Sequence, residues 1–572
     1  MAKIKPEKAS EKITVTEFGG LRQVSSLAGC HSSIMRNFRI ASDGSLEKRT
    51  GTKTLFDMGT RIRGLWQGSL DGKDYLIAVA GNYTYVRLPG SDELTQKNRL
   101  NTSTGKVSFA VYRQTLLLFD GNSVYRFATS INTFIFTYGY APLYGDGWHP
   151  IQKGPVNEQL NALSARIRIR YDNSVGSTEF FLPFAAQTIN RVEVDGTVVT
   201  PTFTARTNTF TIPQQYAHGT LTVSLTLISS YDHREMVAEL PYSFLYAGSR
   251  ETLLVYGGAS SCQLAYTAPV SNEQLAESNR FFSTSTEIPL YFPLDHFFSL
   301  ADAAHPIHAV FRDRDRAIAM NDRFTWALEF SGDQLISYPL EGGIGCASSG
   351  GVAICGGHPV IVQAGGVFRL KFPSGESDVC VAESISQEIT ELIPASVLQN
   401  GILAWFPGRD ELWLRDPLEG EEGLVWVYKR QRKEWYCFDG LFISDFYELD
   451  GTVGFTTING KILLPDETSY TDSGTPITAA YLSHFFALST PETTKRALRT
   501  TVCADTGGQQ LLIITETDTR SRPFTVQSTE PGIPKFFEAN INLGRFRFLR
   551  FALRLSGNSP ARIYRLSILA NR

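Results

Sequence analysis

Three small groups of residues could in principle do chemistry. Cys346, Cys355 and His358 put two thiols and an imidazole in one stretch. Zinc sites use closer cysteine pairs and a fourth ligand, so the reading is buried thiols beside a turn histidine, with no metal residue assigned. Asp313-Arg314-Asp315-Arg316 alternates charge before a strand. Such a run reads as a solvated loop with local ion pairs. Glu419, Glu421 and Glu422 fall between two strands, where a solvated tip is expected. The chain has no GxSxG elbow, HExxH helix, phosphate-binding Walker loop or GxGxxG opening a helix. Ala41-Ser42-Asp43-Gly44 begins like a sialidase turn but lacks its tryptophan and does not recur. No catalytic or cofactor-binding residue is assigned, no cofactor is expected, and the chain is not read as an enzyme.

The elements that would carry such residues are hairpins. A short apolar strand, a turn rich in Gly, Asn or Asp, and a strand bearing an aromatic recur from Tyr75, Leu116, Leu253, Ala317 and Val360, with looser copies from Leu412 and Val453. Asp120-Gly121 and Gly365-Gly366 supply the positive φ that tight hairpins need. The starts are separated by 41, 137, 64, 43, 52 and 41 residues. A repeat of about 40–50 residues made only of strands is the mark of propeller blades. The long gap equals one blade plus an insertion, in which ARIRIRY from Ala165, a run from Ile189 and GTLTVSLTLI from Gly219 alternate as strands. The fold class is therefore all-β: a six- or seven-bladed propeller with an inserted immunoglobulin-like sandwich and a C-terminal sandwich. The expected divisions are 1–154 for the N-terminal segment and first blades, 155–240 for the insertion, 241–468 for the remaining blades and 469–572 for the C-terminal sandwich. Two helices are expected in connections between blades. One has Ile385, Ile389, Leu392 and Ile393 at helical spacing and ends near Pro394; the other follows Ser271, with Gln274 completing a capping box.

Charge and composition narrow the partners. Lys and Arg number 54 against 57 Asp and Glu, a net charge of −3, which argues against tight nucleic-acid binding. From Ala539 onward there is no acid but there are seven arginines, at 545, 547, 550, 554, 562, 565 and 572. Strand alternation would place Arg545 and Arg547 on one face. Arg545, Arg547, Arg550 and Arg554 are the candidate partner surface, for phosphate or an acidic protein. The seven cysteines (Cys30, Cys262, Cys346, Cys355, Cys380, Cys437 and Cys503) are odd in number and scattered, as expected of reduced thiols made in a cytosol. The polar start MAKIKPEKASEK does not read as a secretory signal, and no apolar run is long enough to span a bilayer.

The most specific text is EFGGLRQVSSLAGCHSSIMRNFRIASDGSLEKRTGTKTLF. Phe18, Gly19 and Gly20 open it; Asn37, Gly44, Leu46, Lys48, Arg49 and Gly51 form the unit that follows. This segment resembles the start of β-propeller tail proteins of short-tailed bacteriophages, the tail nozzle (tail tubular protein B) and packaged-DNA stabilisation group. There a Phe-x-Gly-Gly stretch precedes an N-F…G-x-L-x-K-R-x-G hairpin; here Thr50 stands where proline is common. VWVYKRQRKEWYCF and the glycine-rich stretch from Gly345 look similar to blades of the same group. The resemblance implies a virion structural protein, a tail nozzle or head–tail connector that retains packaged DNA until ejection. It further implies a homohexameric ring contacting portal, adaptor and other tail proteins. Double-stranded DNA would pass through the lumen without sequence specificity, and the chain would not insert in a membrane. Synthesis would be in the host bacterial cytoplasm and the final location the virion tail. The alternative is a carbohydrate- or receptor-binding propeller for host recognition, with Trp66, Trp148, Trp326, Trp405 and Trp413 as stacking candidates.

Overall fold

The computed structural model describes residues 10–23, 31–247, 251–258, 263–282, 287–300, 305–372, 379–487, 493–530 and 532–571. Cys30, Cys262, Arg572 and the tip of the hairpin begun at Leu253 lie outside them. The chain divides into two compact units, one of residues 63–345 and one joining residues 1–62 to 346–572.

The protein is all-β. Five of the seven sequence repeats are each the central hairpin of a four-stranded antiparallel sheet, and the last two are the central hairpins of four-strand antiparallel runs within a larger 15-stranded sheet. In the unit 63–345 the central hairpins are Lys73–Ala80 with Tyr83–Arg87, Thr115–Phe119 with Val124–Ala128, Glu251–Tyr256 with Gln263–Tyr266, and Arg316–Met320 with Thr325–Ser331. In the other unit they are His358–Gln363 with Gly366–Lys371, Glu411–Arg415 with Val425–Lys429, and Thr452–Thr457 with Lys461–Asp466. A second strand is apolar without alternation where both of its faces are covered, as in Thr115–Phe119. Leu116 and Leu118 pack with Ile77 and Val79 of the preceding blade. Leu117 and Phe119 pack with Leu253 and Val255 of the following one. A strand buried on both faces reads as a continuous hydrophobic run, which is what TLLLF shows.

The seventh blade is completed from the other end of the sequence. Strand Gly51–Asp57 pairs antiparallel with Lys461–Asp466, so the outer strand of the last blade precedes all the others in the chain. The C-terminal sandwich is likewise built from both ends. One of its sheets contains Lys495–Asp505, Lys535–Asn540 and Arg562–Asn571, joined by the N-terminal strands Ser10–Val15 and Leu46–Lys48. The other contains Thr475–Ser483, Leu511–Thr517, Ser521–Val526 and Phe548–Gly557.

The inserted sandwich has a five-stranded and a three-stranded sheet. Its first strand, Leu143–Trp148, lies upstream of residue 155 and pairs parallel with Arg166–Asp172. Phe180 and Phe210 stack in its core at 5.0 Å. The helix Asn272–Phe281 forms with the expected capping box of Ser271 and Gln274. It sits inside the third blade, between that blade's third and outer strands, rather than between blades. The helix expected around Ile385 does not form. Residues 387–392 are turns, and the helix there is Ala395–Asn400, which begins after Pro394 instead of ending at it. Proline fits a helix start, where no intrahelical N–H is needed. The helical spacing still serves burial, since Ile389 and Ile393 face the core.

Closure of the seventh blade depends on a missing side chain. A Cβ on Gly51 would lie 1.9 Å from the Thr471 carbonyl oxygen. Gly51→Ala is therefore expected to lose about 1–3 kcal/mol from overpacking, measured as a lowered urea midpoint. Gly408→Ala, with open space around it and no positive φ, controls for the general cost of replacing a glycine and should lose less.

Candidate functional site

The residues that carry the family resemblance meet in the unit 1–62/346–572, where they form a buried polar clasp. Asn37 sits between two strands at φ 57°. Its amide nitrogen donates to the Thr478 carbonyl at 2.7 Å and to the Asp439 carboxylate. Its side-chain oxygen accepts from Arg49 Nε at 2.7 Å and from the Asp439 N–H at 3.1 Å. Arg49, 2% exposed, also reaches Asp472 at 2.9 Å and the Asp439 carbonyl at 3.1 Å, and lies over the Phe438 ring.

Lys48 is adjacent in sequence but points the opposite way. Its ammonium donates to Gln509 at 3.1 Å and to the Gly557 carbonyl at 2.6 Å, inside the C-terminal sandwich. Burial lowers its pKa to about 8, helped by the neighbouring Arg49 and opposed by Asp472. Strand geometry sends consecutive side chains to opposite faces, so the Lys-Arg pair ties one strand to the last blades on one side and to the sandwich on the other.

The other motif positions serve the same join. Phe18 packs edge-on against Tyr481. A Cβ on Gly19 would lie 2.3 Å from the His31 ring. Burial lowers the pKa of that imidazole to about 4, with Arg22 and His484 adding to the effect. The Gly20 N–H donates to Glu434 at 3.0 Å. Gly44, at φ 83°, closes the turn and accepts from the Phe18 N–H. Leu46 is fully buried. Thr50 uses a hydroxyl that proline lacks, donating to Glu467 at 3.2 Å and accepting from Arg409 at 3.2 Å. Beside it Arg39 pairs at 3.0 Å with the buried Glu411, which also accepts from Tyr436 at 2.8 Å and Trp413 at 3.0 Å.

The four candidate arginines do not share a face. The strand breaks at Arg547, leaving Arg545 on one sheet of the sandwich and Arg550 and Arg554 on the other. Arg550 pairs with Glu516 at 2.9 Å, while Arg545, Arg547 and Arg554 are exposed. Of the stacking candidates, Trp148, Trp326 and Trp413 are buried, and Trp66 and Trp405 partly so. Cys346 and Cys355 are buried, and burial pushes their thiols up to about 12 and about 11. Asp313 pairs with Arg316 at 3.4 Å within its hairpin.

Glu419 is not a solvated tip. It accepts from the backbone N–H groups of Glu422 at 2.8 Å and Gly423 at 3.1 Å, and it pairs with the buried Arg415. Burial pushes this carboxyl upward, but Arg415 and the backbone donors outweigh it and hold it at about 2.

One polar cluster escaped the sequence reading. In the unit 63–345, Arg166, Arg168 and Arg170 leave the same side of strand Arg166–Asp172. Arg168 and Arg170 reach Glu277 of the capped helix at 2.8 and 2.9 Å, and Arg166 approaches Glu287 at 3.8 Å. Arg168 also donates to Tyr140 at 3.0 Å, whose hydroxyl donates to Glu158 at 2.8 Å. The alternation in ARIRIRY was the available signal, but Glu277 and Glu287 lie more than a hundred positions away, while Asp146, 3.2 Å from Arg170, is nearer in sequence.

No protein-family model matches the chain, and no curated protein matches it in sequence. Among solved structures it is similar to BBS1N in complex with ARL6DN, with 11% identity and a TM-score of 0.33, over 73% of this chain and 98% of that one. It is also similar to a glycoside hydrolase, with 10% identity and a TM-score of 0.22, over 90% and 99% of the two chains. A third is an exo-beta-1,3-galactanase from Phanerochaete chrysosporium, with 8% identity and a TM-score of 0.23, over 81% and 95%. Likenesses at these scores carry no functional argument.

Two outcomes follow from the clasp. Asp472→Ala strands the buried Arg49 charge and should cost about 3–5 kcal/mol, read by urea unfolding. Because the folded-state pKa of Lys48 lies below its ordinary 10.5, the folded chain binds fewer protons than the unfolded one between pH 8 and 10.5. The Lys48 contribution to stability therefore rises with pH across that window. Lys48→Met should flatten the difference, seen by comparing urea midpoints of variant and parent at pH 7.5 and 10.

Proposed function

We propose that this chain is a structural subunit of a short-tailed bacteriophage tail, a nozzle or head–tail connector protein without catalysis. It assembles into a hexameric ring, passes double-stranded DNA without reading its sequence, and helps retain the genome until ejection. Its neighbours on the tail axis are portal, adaptor and other tail proteins, and it is made in the host cytoplasm before joining the virion.

The observation that carries this reading is the clasp. The nine positions of the resemblance, from Phe18 to Gly51, are packing, turn and ion-pair residues that join the start of the chain to its last blades and C-terminal sandwich. A motif whose residues are spent on joining elements suits a protein that carries mechanical load. The net charge of −3 suits a conduit, because a wall without strong positive potential lets a polyanion pass with little electrostatic adhesion.

Electron microscopy of the purified protein, with light scattering for mass, tests the reading. The expected result is a symmetric hexameric ring with an axial opening. A monomer that binds glycans on an array and forms no ring at any concentration would refute it.

A further inference from the structure

The C-terminal sandwich has one sheet whose outer face is basic and whose edge is open. On that face Arg496 and Arg545 stand directly opposite each other on paired strands. Like charges in that position are destabilising. Arg496 is met by the neutral side-chain oxygen of Asn542 at 2.7 Å. Among the described residues no carboxylate pairs with Arg545 or with the exposed Lys12, which faces the same way one row along, across Leu569 from Arg499. The acid beside these residues on the edge strand, Glu538, is already paired with Arg499 at 2.9 Å.

The edge beside these residues is strand Lys535–Asn540, which pairs with Lys495–Asp505 on one side and has no described strand on the other. Phe536 on its outer face is 66% exposed and Ile533 just before it 51%. The edge of the other sheet, Ser521–Val526, carries Pro523 within the strand. Proline there blocks the addition of another strand. In Lys535–Asn540 no proline interrupts the run; Pro534 stands before it.

We propose that this edge binds an extended acidic segment of a different protein, added as a further strand. Its carboxylate meets Arg545 and Arg496, and an apolar side chain rests on Phe536. An added strand lies about 4.8 Å from the edge, and side chains on one face repeat about every 6.8 Å. Both distances are within reach of arginine. Main-chain hydrogen bonds would hold the segment, and the side-chain rows would select it.

Charge favours protein over nucleic acid, because the three cations on this face that no described carboxylate meets, Lys12, Arg496 and Arg545, are fewer than the phosphate contacts of a tight DNA complex. A second copy of this chain is a poor source. Its clustered acids Glu419, Glu421 and Glu422 are tied up in part, Glu419 on Arg415 and Glu422 on Arg36 at 2.9 Å. The proposal goes beyond the tail reading and does not need a ring, since binding to the purified chain can be read in any oligomeric state.

The test is fluorescence anisotropy with the full-length protein and three labelled probes: a Val-Glu repeat octapeptide, a Val-Lys repeat octapeptide and a short mixed-sequence DNA duplex. The Val-Glu peptide is expected to bind, and the other two at least about tenfold more weakly. Arg545→Glu with Arg496→Glu, and separately Ala539→Pro on the edge strand, should each weaken the Val-Glu peptide by about tenfold or more. Phe536→Lys, at an exposed position, should weaken it without changing the melting temperature, so the edge is tested even if the proline variant does not fold. Preferred binding of the duplex, no binding of the acidic peptide, or acidic binding unaffected by Arg545→Glu with Arg496→Glu would each overturn the proposal.

Discussion

The ion pair of Arg49 with Asp472, oriented by Asn37, is the contact on which the unit containing both chain ends depends. Burying a guanidinium is costly unless its hydrogen-bonding capacity is met. Here it is met by one carboxylate, one side-chain amide and two backbone carbonyls. All of these partners except the Thr50 carbonyl and Asn37 come from residues hundreds of positions later. The pair therefore forms only when the N-terminal hairpin, the sixth blade and the strands after the seventh are all in place. That makes it a check on correct assembly as much as a source of stability.

The blades depend on a simpler constraint. A strand packed between two neighbouring blades has no solvent face, so its sequence loses alternation and becomes uniformly apolar. Leu116 to Phe119 divide their side chains between two cores in this way. The outer strands keep polar positions, as Leu94–Arg99 does with its lysine and arginine. The glycines concentrate in the hairpin turns, where positive φ is required at Gly81 and Gly121 and glycine adopts it without steric cost.

The arginines at the C-terminus show how tertiary placement divides a linear pattern. RFRF alternates as a strand should, but the chain passes from one sheet of the sandwich to the other at Arg547. Arg545 thereby joins Arg496, Arg499 and Lys12 on one outer face, while Arg550 and Arg554 go to another. The basic surface is thus assembled from three chain regions, only one of which stood out as arginine-rich.

Local rules were enough to read the hairpins, their repeat, the insertion after the second blade and the capped helix at Ser271. Each rests on contacts within a few residues: turn φ, strand alternation and the Ser271–Gln274 capping pair. The helix expected before Pro394 failed because a periodic apolar pattern reports burial, and a run of turns can bury Ile389 and Ile393 equally well. The motif near Phe18 could be recognised, but its work could not be read locally. Asn37, Lys48 and Arg49 find their partners at residues 439, 472, 478, 509 and 557. By itself, then, the sequence determined that this is a β protein of repeated blades with two added sandwiches, because backbone propensity and side-chain period act at short range. Only the tertiary structure decided that the first strands complete the last blade and the C-terminal sandwich, because that pairing joins polar groups whose complementarity exists only after the chain has folded back on itself.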